Sequence, residues 1–290
     1  MPYMDKTLYI SDLDGTLLNK KAELSEYTLN SLNEMIAGGL NFSVATARTF
    51  ASAKTILTGL NLTIPIVLMN GVLIYDCGKQ HYLQVHTLLP ETVAAIIQTM
   101  RAFEITGFMY EIKDGEQRTY HESLEQKPLR EFVEERIARY NKSFRHTAGF
   151  DRISPEHITY FTLLDKRERL SPVYDTLIKL PGLSTVFYKD NYSSDLWYLE
   201  MFSPKASKQH AVSYLRDELR YDRIVGFGDN LNDLPMFAAC DVRVAVENAE
   251  QEVKSAADHI CGTNESDGVV KWLEQNVPTQ KMIERRYYAW

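Results

Sequence analysis

The first apolar run in the chain is short and unbroken, Leu8-Tyr9-Ile10, and Asp12, Asp14, Gly15 and Thr16 follow it almost at once. A brief apolar run closed by polar turn residues predicts a buried strand. Ser25 then precedes Leu29, Leu32, Met35 and Ile36, spaced to share one helical face, and Gly38-Gly39 stops the pattern. A helix capped by Ser25 is expected there. The alternation continues with a strand over 40–46 that ends at Thr46, a helix over 48–60 and a strand over 64–71 that ends at Asn70-Gly71. The stretch 72–86 reads as a hairpin. Strand–helix–strand–helix–strand order predicts a parallel sheet with both faces covered.

From about Gln84 the pattern changes. Helical periodicity at 90–103 and 129–141 alternates with aromatic strand-like runs at 105–112, 157–164, 184–190 and 196–202, which predicts an α+β segment. The opening pattern then returns, with helices at 207–219, 232–240, 249–257 and 267–276 and strands at 223–230 and 242–246. No internal repeat or low-complexity tract interrupts it. The expected organisation is one α/β domain, 1–84 and 203–290, interrupted by a second domain at 85–202.

A chain of 290 residues at 44% hydrophobic composition can bury a sizeable core. Its formal charge is −7, from 39 acidic and 32 basic residues, with no dense Lys/Arg block. Nucleic acid and an anionic membrane surface are therefore not expected partners. The first residues lack the apolar core of a secretory signal, and no stretch has the ~18 apolar residues of a membrane span. Cys77, Cys240 and Cys261 are far apart without a CxxC pair, as expected of buried thiols in a reducing cytoplasm.

In an open parallel sheet, ligands bind beyond the carboxyl ends of the strands. Those ends here carry Asp12, Asp14, Thr46, Asn70, Asp229, Asn232 and Asp233. Several carboxylates meeting in one crevice cannot all stay ionised unless a cation joins them. Oxygen donors without a His or Cys pair point to Mg²⁺. The two-residue spacing of Asp12 and Asp14 also puts both side chains on one side of an extended segment.

Four stretches in this order, "DLDGT", the Thr46 of "ATAR", "SPKASKQHAV" and "GFGDNLNDLPMF", resemble the haloacid-dehalogenase-like hydrolase superfamily, and within it the Cof-type phosphatases. The resemblance implies a Rossmann-like α/β parallel-sheet core domain with an inserted α+β cap domain between the second and third motifs. It implies a Mg²⁺-dependent phosphatase acting on small phosphorylated metabolites, either sugar phosphates or phosphorylated cofactors. Asp12 would be the nucleophile that forms an aspartyl-phosphate, and Asp14 the general acid and then base. Asp12, Asp14 (through its backbone carbonyl) and Asp229 would hold the metal. Thr46, Arg48, Lys208 and Asn232 would bind phosphate or substrate, with Asp233 hydrogen-bonding behind the metal ligands. A cytoplasmic monomer or homodimer is expected.

Plainer readings stand beside these. Thr46 is also a β-former at a strand end, Asp233 a helix cap, Asn70-Gly71 a hairpin turn, and Arg48 a surface cation. The insert's Tyr110, Tyr120, Tyr160, Lys113, Arg118 and His121 are candidates either for the leaving group or for packing. "PKASKQ" lacks the glycines usual around the family's lysine, so Lys205 and Lys208 compete; Lys208 begins a helix after Ser207 and is preferred. Ala47 stands where a glycine is usual. A phosphomutase on the same scaffold and a non-catalytic metabolite sensor are the alternatives. Asp rather than Thr at position 14 disfavours a P-type ATPase. The "IERRYYAW" tail reads as a frayed end or a small packing element.

Overall fold

The computed structural model describes residues 6–190 and 195–277; the C-terminal tail lies outside them. Its first elements are β1 (Thr7–Ser11), α1 (Glu26–Ala37), β2 (Asn41–Val44), α2 (Phe50–Ile56), β3 (Ile66–Leu68), β4 (Leu73–Asp76) and β5 (His81–Val85). Next come α3 (Pro90–Ala102), β6 (Gly107–Lys113), β7 (Glu116–His121), α4 (Lys127–Tyr140), β8 (Arg145–His146), β9 (Ile158–Asp165) and α5 (Arg167–Leu177). The chain continues with β10 (Ser184–Lys189), β11 (Trp197–Phe202), α6 (Lys208–Leu219), β12 (Arg223–Gly228), α7 (Leu234–Ala238), β13 (Val242–Val246), α8 (Gln251–Ala256), β14 (His259–Cys261) and α9 (Gly268–Asn276). Contacts divide it into two units, Met1–Thr46 with Ile56–Ile66 and Val212–Trp290, and Ala47–Thr55 with Val67–Ala211. Beside the expected 1–84, 85–202 and 203–290 segments, residues 47–55, 67–84 and 203–211 group with 85–202.

The first unit is built on a five-stranded parallel sheet in the order β14-β13-β12-β1-β2. β1 lies between β12 and β2, so both of its edges are paired and Leu8 and Ile10 are fully buried. That double burial is why the strand reads as a continuous apolar run rather than an alternating one. Ser25 caps α1 as expected, its Oγ accepting from the Thr28 N–H at 2.9 Å, and Gly38 ends the helix.

The second unit carries a six-stranded sheet, β10-β11-β9-β6-β7-β8, antiparallel except for the β7–β8 pair. Residues alternate across it with period two. One face sends Met109, Phe161, Leu163, Leu199 and Met201 into an apolar core with Val93, Ile96 and Met100 of α3 and Leu170, Val173 and Leu177 of α5. Tyr110, Tyr160, Tyr198 and Glu200 fall on the opposite alternation. Phe108, on that second face, stacks on Phe132 of α4 at 4.8 Å between centroids.

Ile66–Leu68, expected as a third parallel strand, instead joins a three-stranded sheet in the order β3-β4-β5. Met69, Asn70 and Gly71 have φ of 49°, 55° and 94°, and three left-handed residues in a row fold β4 back onto β3. The Asn70-Gly71 turn does more than connect strands. The Asn70 amide donates to Glu200 Oε2 at 2.8 Å and meets the Tyr160 hydroxyl at 2.7 Å. A β-carbon at Gly71 would stand 2.1 Å from the Ser207 carbonyl oxygen, so the turn closes against the start of α6. The three cysteines are free, and of them only Cys261 is fully buried; Cys77 and Cys240 are half-buried. Among the described residues no helix is long and apolar enough to cross a membrane.

Gly71→Ala meets both a positive φ and the Ser207 oxygen, so a loss on the order of 3 kcal/mol is expected in denaturant unfolding. Glu200 yields a pH test. Burial, countered by hydrogen bonds from Tyr160, Asn70 and Tyr188, lifts its carboxyl from 4.5 to about 7. Its contribution to stability is therefore full below about 4.5 and is lost as pH rises through about 7. Relative to Glu200→Gln, the wild type should lose on the order of 3 kcal/mol across that window, measured by urea unfolding at each pH. Parallel profiles for the two proteins would contradict the assignment.

Candidate active site

Asp12 and Asp229 of the first unit each follow the end of a strand, β1 and β12. The Asp12 N–H donates to Phe227 O at 2.9 Å, which carries the β1–β12 pairing one residue past β1. Asp12 is thereby fixed, 5% exposed, at the lip of the sheet. The chain then coils through a kinked turn, Leu13–Leu17, in which Asp14 is extended (φ −75°, ψ 118°) and Gly15 has φ 81°. Glycine is the residue that takes this reversal without strain. Asn248 Nδ2 donates to Gly15 O at 2.8 Å and holds the turn.

β12 ends at Gly228, and Asp229 follows. Its carboxylate accepts from Thr16 Oγ1 at 2.8 Å, and its carbonyl accepts from the Glu250 N–H at 2.9 Å. Asp233 Oδ2 accepts from the N–H groups of Asp229 (2.9 Å) and Asn230 (3.1 Å). One fully buried carboxylate thus fixes the loop that presents another. A β-carbon at Gly228 would lie 2.7 Å from Asp233 Cβ, so the absence of a side chain there lets Asp233 pack onto the strand. Asn232 lies half-buried in the short helical turn Leu231–Asp233.

Carboxylate oxygens of Asp12, Asp229 and Asp233 all lie within 4.8 Å of one another, and all three residues are buried. Asp14, half-buried, contributes no oxygen to this cluster. Three desolvated like charges that close require a cation or bound protons. An all-oxygen donor set suits a hard divalent cation and not a thiol- or imidazole-seeking one. Thr46, 1% exposed, follows Ala45, whose N–H donates to Ser11 O at 2.9 Å and so carries β2 along the end of β1.

The other candidates belong to the second unit. Lys208 is the first residue of α6 and 1% exposed, whereas Lys205 is exposed with its carbonyl against His210 Nδ1 at 3.1 Å. The Lys208 charge acts on Glu200, partly offsetting the upward shift that burial gives that carboxyl. Arg48 Nη1 donates to the Tyr140 hydroxyl at 3.0 Å. Of the aromatic and charged candidates of the insert, Tyr110 and Tyr160 are buried on the polar face of the sheet. Tyr120 packs into the α3–α5 core with its hydroxyl on Glu111 at 2.8 Å, and Lys113 is exposed. Burial pushes the Tyr110 phenol up to about 12, although a hydrogen bond with Thr162 works against it.

Sequence reasoning passed over Glu200 and Lys142. A signal for Glu200 existed, one carboxyl inside the strand "WYLEMF" at the alternation of Tyr198 and Phe202. Lys142 had none, since it follows a helix end among polar residues.

A family model described as haloacid dehalogenase-like hydrolase matches residues 9–273. A 5-amino-6-(5-phospho-D-ribitylamino)uracil phosphatase of Bacillus subtilis is 24% identical over 268 residues, covering 91% of this chain and 95% of its own. A second phosphatase of that organism is 26% identical, covering 91% and 97%. The crystal structure of a haloacid dehalogenase-like hydrolase from Bacteroides thetaiotaomicron superposes with a TM-score of 0.77 at 24% identity, over 93% of this chain and 99% of that one. With the motif-bearing strand ends inside a match that runs from β1 to α9, the chain belongs to the haloacid dehalogenase-like hydrolases.

Proposed function

We propose that this chain is a Mg²⁺-dependent phosphatase of small phosphorylated metabolites, working through an aspartyl-phosphate on Asp12. The observation that carries the reading is the buried convergence of Asp12, Asp229 and Asp233 at the ends of neighbouring parallel strands. Phosphoryl transfer needs chiefly position and electrostatics, and a rigid strand end supplies both.

An Asp12 carboxylate oxygen bonds to phosphorus as the ester P–O bond breaks, and Asp14 gives its proton to the departing oxygen. Asp14 then takes a proton from water as that water attacks phosphorus. The acyl-phosphate bond breaks, inorganic phosphate leaves, and Asp12 returns as a carboxylate. Asp12 and Asp229, with the Asp14 carbonyl, would hold Mg²⁺, which when bound neutralises the carboxylates and the phosphoryl oxygens. Asp233 orients Asp229 through two N–H groups. Thr46, Arg48, Lys208 and Asn232 are the groups assigned to phosphate and substrate. The deep burial of Lys208 and the exposure of Lys205 favour Lys208 for the phosphoryl charge. The name of the Bacillus relative and the phosphatases of the family support a small phosphorylated metabolite as the substrate.

Chelation with EDTA is expected to abolish hydrolysis of p-nitrophenyl phosphate, and Mg²⁺ to restore it; full turnover after rigorous chelation would remove the metal from the reading. The two aspartates should fail differently. Asp12→Asn should lose several orders of magnitude with every ester. Asp14→Asn should retain phosphorylation by aryl phosphates yet lose about 10²–10⁴-fold with alkyl phosphates, whose leaving oxygen needs a proton. Equal losses on both ester types, measured with rapid-quench trapping of the phosphoenzyme, would refute the acid–base role of Asp14.

A further inference from the structure

β7 and β8 run parallel and in register, so His121 and His146 are direct partners on one face of the second unit's sheet. The Thr147 N–H donates to His121 O at 3.0 Å, and Phe108 of β6 pairs with His121 on the other side. The backbone of His121 is thus held along both edges. The two imidazoles stand 5.6 Å apart between centroids, at an interplanar angle of 64°. His146 is exposed and opens the pair to solvent, whereas His121 is 9% exposed.

His121 is the unusual member. Its Nδ1 is buried and has no hydrogen-bond partner. A buried polar atom left in that state is costly unless something else binds it. Phe108, directly opposite, packs on Phe132 and Phe144 at 4.8 and 5.4 Å between centroids, and these rings offer no strong partner. Burial, with the His146 charge second, holds the His121 imidazole below its ordinary pKa and favours the neutral ring. The neutral ring is the form that ligates a metal. Spacing agrees with such a role. Two imidazoles on one tetrahedral ion, with Zn–N bonds of about 2 Å, place their centroids roughly 5 Å apart. The exposed His146 side chain has the freedom to close the small remainder.

We infer that His121 and His146 chelate a divalent transition cation, Zn²⁺ in the first instance, at a site separate from the acidic cluster of the first unit. Donor chemistry distinguishes the two, since imidazole nitrogens suit Zn²⁺, Ni²⁺ and Cu²⁺ and carboxylate oxygens suit Mg²⁺. Among the described residues, no third His, Cys, Asp or Glu joins the pair in a ligating group. Water or a small solute therefore completes the coordination, which makes this an exchangeable site and not a closed four-ligand one. The ion cross-links β8, a two-residue strand at the edge of the sheet, to β7. None of this depends on the phosphatase reading.

The chain has seven histidines, few enough for their ring resonances to be followed one by one. The full-length protein, in excess Mg²⁺ to occupy the oxygen donors, is titrated with Zn²⁺ and observed by side-chain NMR and calorimetry. The His121 and His146 signals should shift together in a single binding step. His146→Ala removes a ligand that is exposed and not part of the core. It should weaken that step by at least about tenfold, because even a lost supporting group costs a metal site that much. Three results each overturn the inference: no shift at either histidine, a shift of His146 without His121, or the same Zn²⁺ affinity in His146→Ala as in the wild type.

Discussion

Three carboxylates are held within a few ångströms of each other where water is largely excluded, and the first unit is organised around that constraint. An arrangement of this kind persists only if the backbone leaves the side chains no other place to go. The parallel pairing of β1 with β12 continues to the Asp12 N–H. Thr16 and the Glu250 N–H fix Asp229 from two directions, and Asp233 spends one oxygen on two backbone donors. The rigidity lies in hydrogen bonds to the main chain, so the acidic ends move with the sheet and not with the loops.

A different solution governs the second unit. Its sheet buries both faces, but only one is apolar. Tyr110, Tyr160, Tyr198 and Glu200 share the other alternation; Tyr160 and Glu200 hydrogen-bond each other and Asn70, and Tyr110 bonds Thr162. A buried polar network of this sort gives little net stability and much specificity, because each unmet member would be costly. It also brings side chains from β6, β9 and β11 together with the turn after β3, tying the three-stranded sheet to the larger one.

The α/β class was legible because β1, β2 and β12 are buried on both faces and read as apolar runs, and because Ser25 and Gly38 mark the ends of α1 in residue types with one physical purpose. The fate of 64–71 was not, since a strand beside a sheet and a strand within it have the same local pattern; the left-handed run at Met69–Gly71 decides it. β7 escaped notice because "EQRTYH" has no apolar alternation, although Asp114-Gly115 before it, with φ of 55° and 76°, is a hairpin signal. α5 carries Pro172 and a weak pattern. In the site, the placement of Asp12 and Asp229 just past the ends of parallel strands was readable from motif and position. Asp233 was legible among the strand-end carboxylates expected in one crevice, but whether it caps a helix or joins the cluster was not, because the two look alike until Gly228 is seen to let it close.

The order of the strands in the parallel sheet also sets a timetable for synthesis. β1 leaves the ribosome first, yet it is a central strand, and one of its two neighbours, β12, comes from the far end of the chain. Thr16 and Asp229, which bond directly, are 213 residues apart. Until β12 emerges, the strand that leads to Asp12 has one open edge, and its acidic tip lacks Asp229 and Asp233. Contacts of such long range slow folding and leave strand edges exposed in the meantime. A nascent chain of this protein therefore carries Asp12 long before it carries Asp229 and Asp233, and any product cut short before residue 229 lacks two of the three clustered carboxylates.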